Sequence, residues 1–201
     1  MGTEDSDRLE FIKSTVNRLN KYKDAAPTKL YIVDSVTREF AFAQDLDITA
    51  GYSITAGAVG DYIREISEEV GHRYDEMEEN PDALFEKPML ILIINSQMAV
   101  DMISQDMEIS QRYDFIVSKL RGYRACIMYS NLENAAITFK SGEIRKQIAQ
   151  DATHVMFENA GLIKSVDLPL AFVRKNSKKL ETGEAFYIGT GVIDKVKTIM
   201  S

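Results

Sequence analysis

Residues 89–94 read MLILII, six apolar residues in succession, closed by Asn95 and Ser96. A run without polar alternation does not fit a strand with one wet face; it suits a strand buried on both faces of a parallel sheet. Two further runs share this character, LYIVD at 30–34 and ACIMYS at 125–130, and a shorter one, THVMF, occupies 153–157. Parallel strands must be joined by crossovers, usually helices. Stripes of the right period stand between them. Leu9, Ile12, Val16 and Leu19 recur at three and four within 8–22. Tyr62, Ile63, Ile66, Val70, Tyr74 and Met77 do so within 60–79, with Asp61 at the start. Ile109, Tyr113, Ile116, Val117 and Leu120 follow, ended by Gly122. A shorter helix is expected at 143–150 and a strand at 52–55. The fold class is therefore α/β, three layers with a mostly parallel central sheet holding 30–34, 89–94, 125–130 and 153–157. EAFYIG and VIDKVKTIM on either side of Gly-Thr-Gly at 189–191 predict an antiparallel hairpin at the C-terminal end.

Composition narrows the function classes. A chain of 201 residues, 45% hydrophobic and 27% charged, suits one domain with a sizeable core. No apolar run approaches the roughly 18 residues of a membrane span, and MGTEDSDRLEF lacks the basic and apolar parts of a signal peptide. Cys126 is the only cysteine, which rules out a disulfide scaffold within the chain and predicts a buried thiol in a reducing setting. The net charge of −7 is uneven: residues 1–86 carry 19 acidic against 9 basic groups, residues 87–201 carry 12 against 15. This balance argues against nucleic acid as a partner. The one basic cluster, RKNSKK at 174–179, reads as a solvated loop. His72 and His154 have no ligand-spaced companions, so no metal site is expected. Glu69 and Arg73, spaced i, i+4, predict a helix-surface ion pair worth a few tenths of a kcal/mol.

In nucleotide-hydrolysing α/β domains a strand like 89–94 delivers a carboxylate at its end to hold Mg²⁺ and orient water. Here Asn95 and Ser96 stand there. The order of strands and helices, with Glu69, Arg73 and Tyr74 near the end of the long helix, resembles the FtsK/SpoIIIE family of RecA-like P-loop motor domains. Within it the likeness is to the C-terminal, degenerate ATPase module of type VII secretion coupling proteins of the EssC/EccC kind. The resemblance sets GTEDSDRLEF against the phosphate-binding G-x-x-x-x-G-K-[ST]. Gly2 keeps the first glycine and Ser6 closes the spacer, while Asp7, Arg8 and Leu9 replace the second glycine, the lysine and the hydroxyl. Asn131, after ACIMYS, takes the place of a polar residue that senses the γ-phosphate. Gly2, Ser6, Asp7, Arg8, Leu9, Asn95, Ser96 and Asn131 are thus degenerate nucleotide-site positions, and no catalytic residue is assigned. Neither ATP nor Mg²⁺ is expected as a cofactor.

The resemblance further implies that 1–201 is a single domain cut from a longer multi-domain chain, since the strand that feeds the phosphate loop is missing. It implies the cytoplasmic part of a protein anchored in the cell membrane. The implied partners are neighbouring ATPase domains of the same chain and secreted helical proteins of the WXG100 type, or their C-terminal signals. Met98, Met102 and Met107 are candidates for a partner-binding groove, because flexible thioethers line adaptable surfaces, although core packing is the commoner use of methionine. The implied role is recognition or regulation of secreted substrates. The alternative is an active ATP-hydrolysing motor that drives secretion; a DNA-translocating role conflicts with the acidic first half.

Overall fold

The computed structural model describes residues 3–120, 122–139, 141–189 and 191–198. The chain forms two compact units, Asn17–Leu132 and a second made of Met1–Val16 with Glu133–Ser201. Helix α1 (Thr3–Lys21) contributes residues to both.

The unit Asn17–Leu132 holds a four-stranded, all-parallel sheet of β1 (Thr28–Val33), β2 (Thr49–Ser53), β3 (Met89–Ile94) and β4 (Ala125–Tyr129), in the order β2-β1-β3-β4. The pairs Ile32↔Ile93 and Ile93↔Met128 set the register at the centre of the sheet. Leu30–Val33 and Leu90–Ile94 are buried at every position, which is how two covered faces are written in a sequence. Helices α2 (Ala58–Glu79), α3 (Gln97–Gln105) and α4 (Met107–Lys119) pack on one another and on the sheet. Ile63, Ile66 and Val70 of α2, Val100 and Ile103 of α3, and Ile109, Tyr113 and Ile116 of α4 are buried.

Helix α3 is not among the elements read from the sequence. Ser96 caps it, its Oγ accepting from Ala99 N at 3.3 Å, and Asp106 ends it by capping α4, with Oδ1 accepting from Glu108 N and Ile109 N at 2.9 and 3.1 Å.

In the other unit, β5 (His154–Met156), β6 (Glu184–Gly189) and β7 (Val192–Lys197) form an antiparallel sheet in the order β5-β6-β7. The hairpin expected at 189–191 is present, with Gly189 opposite Val192 and Gly191 at φ 76°, a conformation that favours glycine. The expectation that 153–157 joins the parallel sheet is overturned: β5 runs antiparallel to β6, with Val155 opposite Tyr187. Its three residues are all half-buried, unlike the doubly covered strands β1 and β3, and the β6–β7 hairpin supplies the edge it joins. Ala160, Ile163, Phe186 and Ile188 form the core here, with Phe172 of α6 (Leu170–Lys175) packed edge-on to Phe186. Asn134 ties the stretch before α5 (Glu143–Asp151) to the 158–165 segment. Its Oδ1 accepts from Lys164 N and Ser165 N at 2.8 and 3.2 Å, and its Nδ2 donates to Leu162 O and to Glu158.

Among the described residues, no helix is long and apolar enough to cross a membrane.

Candidate functional site

In open parallel sheets ligands bind beyond the carboxyl ends of the strands. At that edge Asp34 follows β1, Asn95 follows β3 and Asn131 follows Ser130 beyond β4. The carboxylate nearest the end of β3 stands at the end of the adjacent strand β1. Asp34 is 1% exposed and Asn95 is fully buried, and Asn95 Nδ2 donates to Asp34 Oδ1 at 2.8 Å and to Glu39 Oε2 at 2.9 Å. Ser35 N also donates to Asp34 Oδ1 at 2.8 Å, while Phe40 N and Tyr52 Oη, each at 2.8 Å, donate to Oδ2. A carboxylate has about four lone-pair positions, and here four donors fill them. Burial, then the hydrogen bond to Asp34, pushes the Tyr52 hydroxyl up to about 12, so it stays a donor. The arrangement is a closed polar knot that clamps the β1–β2 loop to the end of β3.

The other sequence-derived positions are distributed as follows. Ser96 is engaged as the α3 cap. Asn131 is exposed and takes φ 56°, the left-handed conformation that asparagine tolerates, so it serves the turn leaving β4. Ser6, Asp7, Arg8 and Leu9 lie within the first turns of α1 instead of in an open loop. Asp7 is buried and its Oδ2 accepts from Gly183 N at 3.3 Å; Ser6 is exposed, and Arg8 and Leu9 are half-buried. Gly2 lies outside the described residues. The fold thus brings Asn95 and Ser96 together at one strand end, and Ser6 to Leu9 together on one helix. The central residues of the knot, Asp34, Glu39 and Tyr52, are not singled out by the sequence. The only signal for Asp34 is that LYIVD, like MLILII, ends in a polar residue.

The expected surface pair of Glu69 and Arg73 is corrected. Arg73 is 1% exposed, its Nε donates to Glu69 Oε1 at 2.9 Å, and its Nη1 donates to Tyr123 O at 3.0 Å. Arg73 Nη2 also lies 2.9 Å from Glu69 Oε1 but forms no hydrogen bond there, so the contact is ionic only. Tyr31 Oη donates to Glu65 Oε1 at 2.6 Å on the same helix, and its hydroxyl is pushed well up, by burial first and by Glu65 second. Lys119 Nζ sits 4.5 Å over the Tyr74 ring, and Tyr74 packs against Tyr123. These contacts fasten α2 to the turn that feeds β4. Arg73 therefore cannot project toward a ligand.

Methionine use also departs from the commoner reading, core packing. Met98, Met102 and Met107 are 67%, 37% and 77% exposed. Met98 and Met102 lie i, i+4 on α3, the helix that springs from the same strand end as Asn95. Among the described residues, no group of three or more His, Cys, Asp or Glu side chains is placed to hold a metal ion.

The parallel sheet and the helices on it share the fold of ATPase domains in solved structures. The chain aligns with the cytoplasmic domain of the Thermomonospora curvata type VII secretion ATPase EccC at TM-score 0.68 and 12% identity, covering 98% of this chain and 23% of that one. EccC from the same organism, as ATPases 2 and 3 in complex with a signal sequence peptide, gives 0.58 at 12% identity over 87% of this chain and 31% of that one. The cytoplasmic domain of EssC gives 0.67 at 12% over 98% and 38%. The pCW3 conjugation coupling protein TcpA with ATPγS gives 0.61 at 13% over 95% and 56%. Identities this low establish the fold alone, and the chain spans between 23% and 56% of the solved lengths of these neighbours. No protein-family model matches the chain, and no curated protein sequence does.

Proposed function

We propose that this chain is a non-hydrolysing module of a type VII secretion ATPase and that it recognises secreted proteins. One observation carries the reading: the position after β3, where phosphoryl transfer needs a free carboxylate, holds a buried asparagine, and the nearest carboxylate, Asp34, is saturated by four donors. An Asp34 so engaged cannot ligate Mg²⁺ without breaking the knot. The helical course of Ser6 to Leu9 supports the reading as well, because helical backbone spends its N–H groups within the chain instead of wrapping phosphate. ATP and Mg²⁺ are then not cofactors of this module.

What replaces hydrolysis is a surface. Met98, Met102 and Met107 present thioethers that can repack around an amphipathic helix. The ligand class is a secreted helical protein of the WXG100 type or its C-terminal signal, a reading supported by the signal sequence peptide bound to EccC. The module would work beside neighbouring ATPase domains of one chain, on the cytoplasmic side of a membrane-anchored protein.

The test has two arms. Calorimetry and a phosphate-release assay with Mg²⁺-ATP are expected to give no turnover above a protein-free blank. Titration with secreted helical proteins is expected to show binding that weakens about tenfold or more in Met98→Asp and Met102→Asp, the scale of a lost anchor residue. Turnover abolished by a change at Arg8 or Asn95 would favour the active motor and overturn the first arm. Absence of binding to every secreted partner would overturn the second.

A further inference from the structure

The knot joins two exposed surfaces. Asn95 Nδ2 donates to Asp34 and to Glu39, the residues that flank the loop tip 35–38, while the next residue, Ser96, caps α3. One buried amide thus ties that tip to the helix that carries Met98 and Met102. A Cβ on Gly57 would stand 3.7 Å from Met102 Cε, so this thioether also lies beside the start of α2. Val36, at the tip, is 84% exposed. Three exposed apolar side chains therefore stand on coupled elements at the carboxyl edge of the parallel sheet.

Arg38 is the anomaly of the tip. Its φ of 56° lies in the left-handed region, which glycine fits best and which asparagine and aspartate tolerate better than other residues. The turn uses its backbone, N donating to Ser35 O at 2.9 Å and O accepting from Ala41 N at 3.2 Å. It does not use the side chain, which is exposed and has no hydrogen bond or ion pair among the described residues. The guanidinium charge reaches Tyr52 as the smallest influence on that hydroxyl, which puts it on the side of the knot. A side chain that costs backbone energy and returns no contact within the chain points to a contact outside it.

We propose that Arg38 pairs with a carboxylate on the helix that docks over Val36, Met98 and Met102, and so selects among helices and fixes their register. This rests on the module's recognition of secreted helical proteins and adds the polar contact to that surface. A guanidinium takes a carboxylate through two parallel hydrogen bonds, and apolar contacts beside the pair exclude water and strengthen it. A tip already held by the knot loses little freedom on binding. Carboxylates accompany Arg38 on the same elements, Glu39 next to it and Asp101 on α3, where Asp101 Oδ1 accepts from Gln97 Nε2 at 2.8 Å. One cation among carboxylates suits a single anionic side chain on an apolar helix face, whereas a nucleic acid needs a row of cations.

Calorimetry of the whole chain tests this with synthetic peptides spanning the C-terminal helices of secreted helical proteins. Each peptide is made twice, with its own Asp and Glu and with Asn and Gln in their place. Arg38→Gly is expected to weaken the acidic peptide about tenfold and to leave the neutral one within about twofold. Its thermal midpoint is expected to be unchanged or higher, because glycine suits that φ. Equal loss for both peptides, or loss for neither, while Met98→Asp still weakens binding, would overturn the pairing and leave recognition standing. No binding of any peptide by the native chain would overturn recognition and the pairing with it. A lower midpoint in Arg38→Gly would assign the arginine to the turn itself and also overturn the proposal.

Discussion

Putting a carboxylate back at the end of β3, by Asn95→Asp, is the sharpest perturbation of the knot. It places at this strand end the residue type that nucleotide-hydrolysing α/β domains carry there, yet the geometry predicts damage. The amide is fully buried and gives two hydrogen bonds to anions, at 2.8 Å to Asp34 and 2.9 Å to Glu39. Hydrogen bonds to charged groups are worth about 1.5–3 kcal/mol each, so losing both costs about 3 kcal/mol or more. The new anion would also lie within hydrogen-bonding distance of two like charges. Protonation relieves that repulsion, which limits the total to about 3–5 kcal/mol, a large share of the roughly 5–15 kcal/mol by which domains are stable. The introduced carboxyl is held above its unfolded pKa, so its cost is full at high pH and shrinks as the pH falls and it takes up a proton. Urea denaturation followed by circular dichroism near pH 7 and again near pH 5, about one unit above the unfolded carboxyl range, measures both effects. An unchanged midpoint at neutral pH would refute the argument, and Mg²⁺-dependent ATP turnover in the variant would refute the reading of the site as well.

Replacing Arg73 by Met leaves the Tyr123 carbonyl without its donor and is expected to lower stability by about 2–4 kcal/mol in urea unfolding. Glu69→Gln, at a partner one-third exposed, should cost about 1 kcal/mol or less. Tyr52 is raised from 10.0 to about 12, so the unfolded chain loses this proton first and stability falls as pH rises across that window. Alkaline unfolding of Tyr52→Phe, followed by tyrosinate absorbance and circular dichroism, should show a shallower loss there. Asp106→Ala removes the acceptor that caps α4 and should cost about 1 kcal/mol, read as a lower thermal midpoint.

The strands that were legible in the sequence are those buried on both faces. MLILII and LYIVD announce themselves because no position along them is wet, and β3 and β1 formed where expected. THVMF misled because a short half-buried run fits either sheet, and the choice fell to the β6–β7 hairpin. Helix α3 was obscured because Met98 and Met102 put apolar side chains on its exposed face, blurring the stripe made by Ala99, Val100 and Ile103. The knot was half legible. Asn95 stood out as the wrong residue at a strand end, but its partner Asp34 lies 61 positions away, and only strand order brings them together. Arg73 shows the same limit: the i, i+4 spacing is local, whereas its burial depends on a carbonyl 50 positions on.

The saturation of Asp34 bears on how this domain would respond to the energy state of a cell. In a nucleotide switch, a loop beside the sheet takes its order from a phosphate and its ion and gives that order up when they leave. Here the β1–β2 loop takes its order from an amide that belongs to the chain and is always present. The order of that loop therefore rests on side chains of the chain itself, without a phosphate or an ion among its partners.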